Sequence, residues 1–217
     1  MQPEERVIKC YNTTAANYAI KQVDEIYKTR LDSFLLKDFS SANLSKGLCA
    51  DFGCGPGATT KFLYDNGLSN IVGVDISPEI IKVAIKLFPE IRFETGNLLN
   101  LMYRDNSFAS AIAYYSIVHF DYEQVKTALN EVNRVLQNNG QFLLSFHVGN
   151  QIVHFDKAEN VDIDIDLYYF QTDKIIQLLK DTGFEIIEAI ERLPYKNIEF
   201  KSIRGYIWAE KKETTNR

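Results

Sequence analysis

The chain has 217 residues, 46% of them hydrophobic and 24% charged, with a formal net charge of −5. That length suits one domain with a full core, or at most one domain plus a small lid. The acidic balance gives no general attraction to phosphate backbones, so no nucleic-acid partner is expected. No apolar run approaches the roughly 18 residues of a membrane helix, so no membrane partner is expected either.

The opening stretch "MQPEERVIKCYN" is polar and lacks the apolar core of a signal peptide. Cys10, Cys49 and Cys54 form neither a paired framework nor a zinc ligand set, and no metal is expected. These features predict a cytoplasmic protein. Residues 4–39 read as helical, with a polar break near "YNTTAANYA". In "VDEIYKTRLDSFLLKDF", Ile26, Leu31, Phe34, Leu35 and Phe39 fall near one face. Residues 1–40 therefore read as a helical cap on a single domain spanning 1–217.

From residue 47 strands and helices alternate. "GLCADFG" is a short apolar run ending in glycine, the pattern of a buried strand, and "ATTKFLYDNG" follows as a helix. "NIVGVDIS" is a second strand, and the next helix has Ser77 as N-cap and Pro78 at its first position. "IRFETGN" and "FASAIAYYS" are the third and fourth strands. "YEQVKTALNEVNRVLQNNG" reads as a helix closed by Asn139-Gly140, and "QFLLSFHV" as the fifth strand. A helix over "TDKIIQLLKDTGF" precedes two β-rich runs, "FEIIEAIERLPY" and "SIRGYIWAEKK", expected as an antiparallel pair at one sheet edge. The pattern predicts an α/β, doubly wound, mostly parallel seven-stranded sheet.

Residues 149–171 fit neither periodicity. They follow the fifth strand, at the face where open α/β sheets bind ligands, and read as a lid or pocket wall carrying Phe155, Tyr168, Tyr169 and Phe170. The competing reading packs Tyr168, Tyr169 and Phe170 between the helix at 173–182 and the sheet. Asp162, Asp164 and Asp166 alternate in "VDIDIDL", the pattern of a solvated edge face rather than a metal site.

The chemistry concentrates in "ADFGCGPGATT". Gly53, Gly55 and Gly57 lie between a buried strand and a helix, where glycine lets a ligand approach the backbone. Their G-x-G-x-G spacing differs from the G-x-G-x-x-G of nicotinamide-dependent oxidoreductases. Asp75 ends the next strand, where a carboxylate accepts hydrogen bonds from both hydroxyls of a ribose.

With "VGVDIS", "GNLLNL", "NSFASAIAYYSIVHF" and "EVNRVLQNNGQFLLSF" in that order, the chain resembles the class I S-adenosylmethionine-dependent methyltransferases over residues 47–148. The C-terminal part is similar to that of small bacterial methyltransferases of undefined substrate, through "TGF", Arg192-Leu193-Pro194-Tyr195 and Arg204-Gly205-Tyr206. The resemblance implies S-adenosylmethionine as cofactor, a Rossmann-like fold and residue roles. Asp51 would orient the glycine loop or meet the methionine ammonium, and Gly53, Gly55 and Gly57 would pass beneath the methionine and ribose. Asp75 would hold the ribose, Ile76 would pack on the adenine, and Asn97 and Leu98 would flank its edge. The family often has Asp where Asn97 stands; Asn keeps an acceptor without the charge. Ala113, Tyr114 and Tyr115 would sit beside the sulfonium.

Such an enzyme needs a base only for a nucleophile that arrives protonated. His147 and His154 are the candidates, while His119 is expected to pack or hydrogen-bond. Tyr11, Tyr18 and Tyr115 are expected to wall the acceptor pocket. Arg192 and Tyr195 either bind a substrate carboxylate or belong to a solvated strand and its turn. No "PPY"-like segment follows the fourth strand, where nucleic-acid amino methylases place one; Tyr114-Tyr115-Ser116 stands there. A small-molecule acceptor methylated on O or N is therefore expected. The alternatives are a cofactor-binding module without catalysis and, against the glycine spacing, a nicotinamide-dependent oxidoreductase.

Overall fold

The computed structural model describes residues 3–22, 25–158 and 161–213, with the side chains of residues 3 and 16–22 outside the description. The N-terminal cap is three helices: α1 (Pro3–Gln22), α2 (Glu25–Lys28) and α3 (Arg30–Asn43). The polar stretch "YNTTAANYA" does not break α1, which runs through it. Thr13 and Thr14 turn their hydroxyls onto the carbonyls of Lys9 and Cys10, one turn back, which accommodates them inside a helix. The chain leaves helical geometry at Thr29 instead, with ψ at 101°. The Thr29 N–H still reaches the Glu25 carbonyl, and the hydroxyls of Thr29 and Ser33 take up the Ile26 carbonyl that a continuous helix would have given to Arg30. This kink re-aims α3. Leu36 is fully buried and Phe34, expected inside, is 66% exposed.

The main sheet holds β1 (Cys49–Phe52), β2 (Ile71–Asp75), β3 (Arg92–Thr95), β4 (Phe108–Tyr114), β5 (Leu136–Val148), β8 (Phe184–Arg192) and β9 (Ile203–Lys211). Its order is β3-β2-β1-β4-β5-β9-β8, parallel from β3 to β5 and antiparallel at β9 and β8. This is the expected doubly wound sheet with its antiparallel pair. Helices α4 (Ala58–Asp65) and α5 (Pro78–Leu87) join α3 on one face, through Phe39, Phe62, Leu63 and Ala84. Helices α6 (Tyr122–Val135) and α7 (Thr172–Asp181) cover the other, through Val125, Leu129, Ile175 and Leu179. The direction of winding reverses between β1 and β4, the place where sheets of this kind open a ligand crevice.

Two boundaries differ from expectation. Helix α6 starts at a capping box made by Asp121 and Gln124 but stops at Val135, short of Asn139-Gly140. Leu136 already pairs with Phe108, so strand pairing ends the helix before its glycine signal does. Residues 149–171 contain a separate hairpin, β6 (Ile152–Ala158) and β7 (Val161–Tyr168). It grips α1 from outside: Arg6 pairs with Asp164 at 3.0 Å and Asp166 at 3.3 Å, so two of the alternating aspartates serve an ion pair.

Candidate active site

A cleft of about 1300 Å³, counted out to its open mouth, lies over the C-terminal ends of β2, β1 and β4. Its first half comes from backbone geometry. Gly53 and Gly57 have φ of 74° and 87°, the left-handed region that admits glycine readily. A Cβ on Gly53 would stand 2.2 Å from the Cβ of Ser116, so no other residue lets the loop pass there. Gly57 does not line the cleft; a Cβ there would strike the Phe93 ring at 2.7 Å. Its task is to seat the start of α4.

Asp75 fastens this loop. One carboxylate oxygen accepts the Gly55 N–H at 3.0 Å and the other the Ser77 N–H at 2.9 Å. Burial pushes its pKa up against those two bonds. Ile76, Asn97 and Leu98 line the cleft beside it. Asn97 donates to Glu4 at 2.8 Å and accepts the Leu99 N–H at 2.9 Å, which ties α1 to this wall. Asp51 in β1 accepts the Thr60 hydroxyl at 2.6 Å and does not line the cleft. Burial raises its pKa to about 7 against the pull of that hydrogen bond. Ala113 is fully buried in β4 and likewise does not line the cleft.

The second half is built from side chains. Tyr114, Tyr115 and Ser116 follow one another into the cleft. Tyr115 has a φ of 55°, held by its N–H, which donates to the Ser145 hydroxyl at 2.9 Å and carbonyl at 3.2 Å. Without that left-handed step, consecutive strand residues would face opposite sides of the sheet. Asp32 on α3 accepts from the hydroxyls of Tyr114 and Tyr206, the latter at 2.8 Å, and from Arg192 at 2.6 Å. Arg192 also pairs with Glu199, which pairs with Arg204 at 3.4 Å.

This network corrects four expectations. Arg192 does not reach the cleft, and its guanidinium is occupied by Asp32 and Glu199. Tyr195 supports it, with its ring 4.4 Å from that guanidinium and its hydroxyl accepting the Leu31 N–H at 3.0 Å. Neither binds a substrate carboxylate from there. His147 is buried beneath Tyr115, its Nδ1 taking the Ser202 hydroxyl at 2.7 Å and facing Arg204 at 3.2 Å. Arginine only donates, so Nδ1 is an acceptor and the ring proton is on Nε2. Burial, then Arg204, lowers its pKa to about 3. His154 lies on the outer hairpin, bonded to Asp166 at 2.9 Å. Neither histidine lines the cleft, so neither is placed to act as base.

The lid expectation is corrected as well. No described residue of 149–171 lines the cleft. Phe170 is buried against Tyr122 and Phe146, and Tyr169 lies on His147. Helix α1 covers the site instead, through Glu4, Val7 and Tyr11. The Tyr11 hydroxyl meets Nε2 of His119 at 2.7 Å, and Nδ1 of His119 meets the Asp166 carbonyl at 2.9 Å. That carbonyl only accepts, so Nδ1 carries the proton and Tyr11 donates to Nε2. The side chain of Tyr18 lies outside the described residues.

Residues 50–144 match the model of the methyltransferase-domain family. That stretch is less than half of the chain, and over it the chain is similar to methyltransferase domains. An uncharacterised protein of Methanocaldococcus jannaschii is 25% identical over 91% of this chain and 88% of its own length. The uncharacterised methyltransferase YcgJ of Bacillus subtilis is 33% identical over 51% of this chain, which spans 44% of YcgJ. In fold, the chain is similar to magnesium protoporphyrin IX methyltransferase of Synechocystis PCC 6803, solved with bound S-adenosylmethionine. The TM-score is 0.70 at 16% identity, over 97% of this chain and 98% of that one.

The first half of the cleft suits S-adenosylmethionine, the cofactor that the resemblance implies. Glycine backbone is open to the cleft, Asp75 offers two acceptor oxygens, and the Ser116 hydroxyl is buried with no partner among the described residues. Sequence reasoning missed Asp32, Glu25 and Ser116. For Asp32 a signal existed: it shares the buried face of α3 with Leu35, Leu36 and Phe39, where an acid requires buried partners. Ser116 lies within "NSFASAIAYYSIVHF" but nothing in that motif assigns it a role, and Glu25 lies outside any motif.

Proposed function

We propose that this protein is an S-adenosylmethionine-dependent methyltransferase that transfers the methyl group to an oxygen or nitrogen nucleophile of a small molecule. The cleft carries this reading: the glycine loop and Asp75 occupy one half, and Tyr114, Tyr115 and Asp32 wall the other. Bound S-adenosylmethionine supplies a methyl group already activated by its sulfonium. The chain's own work is to bind, orient and exclude water. Asp75 receives the ribose hydroxyls while holding Gly55 in place. Ile76 and Leu98 offer apolar surface to the adenine. Helix α1, fixed by Tyr11 and His119, covers the cleft. His119 stays neutral because burial lowers its pKa, and both ring nitrogens are engaged by Tyr11 and Asp166. No lysine or arginine among the described residues lines the cleft, which favours a small acceptor over a phosphate backbone.

Calorimetry with S-adenosylmethionine and S-adenosylhomocysteine tests the first part, and both are expected to bind. Turnover of a panel of hydroxylated and amino metabolites, read as S-adenosylhomocysteine formed, tests the second. Cofactor binding without product from either class of acceptor would overturn the catalytic reading.

A further inference from the structure

Four carboxylates line the cleft: Glu4, Glu25, Asp32 and Asp75. Three are engaged. Asp75 holds Gly55 and Ser77, Glu4 takes Asn97, and Asp32 takes Arg192 and two tyrosines. The Glu25 carboxylate has no hydrogen bond or ion pair among the described residues. The order of the sheet shows which half of the cleft it serves. Asp75 ends β2 and Leu98 follows β3, on one side of β1, whereas Glu25 interacts electrostatically with Arg204 on β9, Arg192 on β8, Glu199 and Asp32. It therefore stands on the side of β4, with Tyr114 and Tyr115, away from the ribose-binding end.

We propose that Glu25 binds the methyl acceptor, and that the acceptor is an amine arriving as an ammonium ion. This rests on the methyl-transfer reading above. A carboxylate beside aromatic faces, in a cleft whose described lining includes no lysine or arginine, attracts a cation from both directions. It repels a carboxylate or phosphate and gains less from a neutral alcohol. The proton balance follows. An ammonium R–NH3+ gives one proton to the Glu25 carboxylate, leaving R–NH2 with its lone pair free and Glu25 as the acid. Water at the mouth of the cleft then takes the proton and restores the carboxylate. Burial pushes the pKa of Glu25 up, against the pull of Arg204, and so makes it a better base than a solvated glutamate.

The test uses the full chain saturated with S-adenosylhomocysteine and titrated with two matched series by calorimetry. One series is benzylamine, benzyl alcohol and benzoate; the other is butylamine, butanol and butyrate. The amine of each series is expected to bind tightest. Glu25→Gln is expected to weaken amine binding about ten-fold or more, because a charged hydrogen bond is lost. Its S-adenosylmethionine affinity and melting temperature should stay near wild type, and Glu25→Asp should recover part of the amine affinity. Alcohols or acids binding as well as the amines would overturn the proposal, as would an unchanged amine affinity in Glu25→Gln. A loss of S-adenosylmethionine affinity in that variant would assign Glu25 to the cofactor's own ammonium and overturn it too. Failure of the wild type to bind S-adenosylmethionine at all would instead remove the underlying methyltransferase reading.

Discussion

The two halves of the cleft are made in different ways. The half around Gly53, Gly55 and Asp75 is local: backbone turns and one carboxylate, all within 53–77, shape it. The half around Tyr114 is assembled from distant segments, with Asp32 on α3 bonded to Arg192 on β8 and Tyr206 on β9. A local half depends on conformation and tolerates the loss of one side chain. An assembled half depends on charge balance, and one missing partner strands the others.

The sharpest way to break this contrast is Arg192→Ala. The side chains of Arg192, Asp32 and Glu199 are only 10%, 4% and 2% exposed, so truncation leaves two buried acids short of a cation. Stability is expected to fall by about 3–5 kcal/mol in urea denaturation. A change below 1 kcal/mol, roughly the scale of an exposed pair, would mean that the assembled half is no more coupled than the surface.

Asp51 probes the local half through pH. Its folded-state pKa, about 7, is raised above the ordinary 3.8, so the folded protein holds this proton more tightly than the unfolded chain. The resulting stabilisation is full below 3.8 and lost as pH rises through 7. Asp51→Asn keeps an acceptor for Thr60 without the titration. It should flatten the stability profile over that window and leave the variant more stable at pH 8 by about 3–5 kcal/mol, at roughly 1.4 kcal/mol per unit. Parallel curves for the two proteins would rule this account out.

Asp75→Ala should weaken S-adenosylmethionine binding by about 1–3 kcal/mol while the fold persists, since Asp75 ends its strand and the ribose loses a charged acceptor. An unchanged dissociation constant would reduce Asp75 to a brace for Gly55. The smallest effect is expected at His154→Ala. Its pair with Asp166 is exposed on the outer hairpin, and the change should alter melting by no more than about 1 kcal/mol equivalent and leave cofactor affinity untouched.

The same contrast explains what the sequence made legible. The strands, the glycine loop and Asp75 could be read because periodicity and glycine spacing are local properties. The pairing of Arg192 with Asp32 could not, because 160 positions separate them and nothing local marks one as the partner of the other. His147 looked like a base because it ends an apolar strand near the ligand face; only the structure brings Arg204 and Ser202 against it. The aromatic run 168–170 reads equally as a pocket wall or as packing, and Phe170 fills a space between Phe146 and Tyr122 that no periodicity records.

The left-handed backbone at Tyr115 sets stability against activity at a single position. A β-carbon in that region costs about 1–2 kcal/mol, which glycine would avoid, and Ser145 only anchors the turn. A library selected for heat resistance alone should therefore drift toward glycine or asparagine at 115, enriching proteins that melt later and have lost one ring of the cleft wall. Selection on turnover should push back toward an aromatic side chain at the same site.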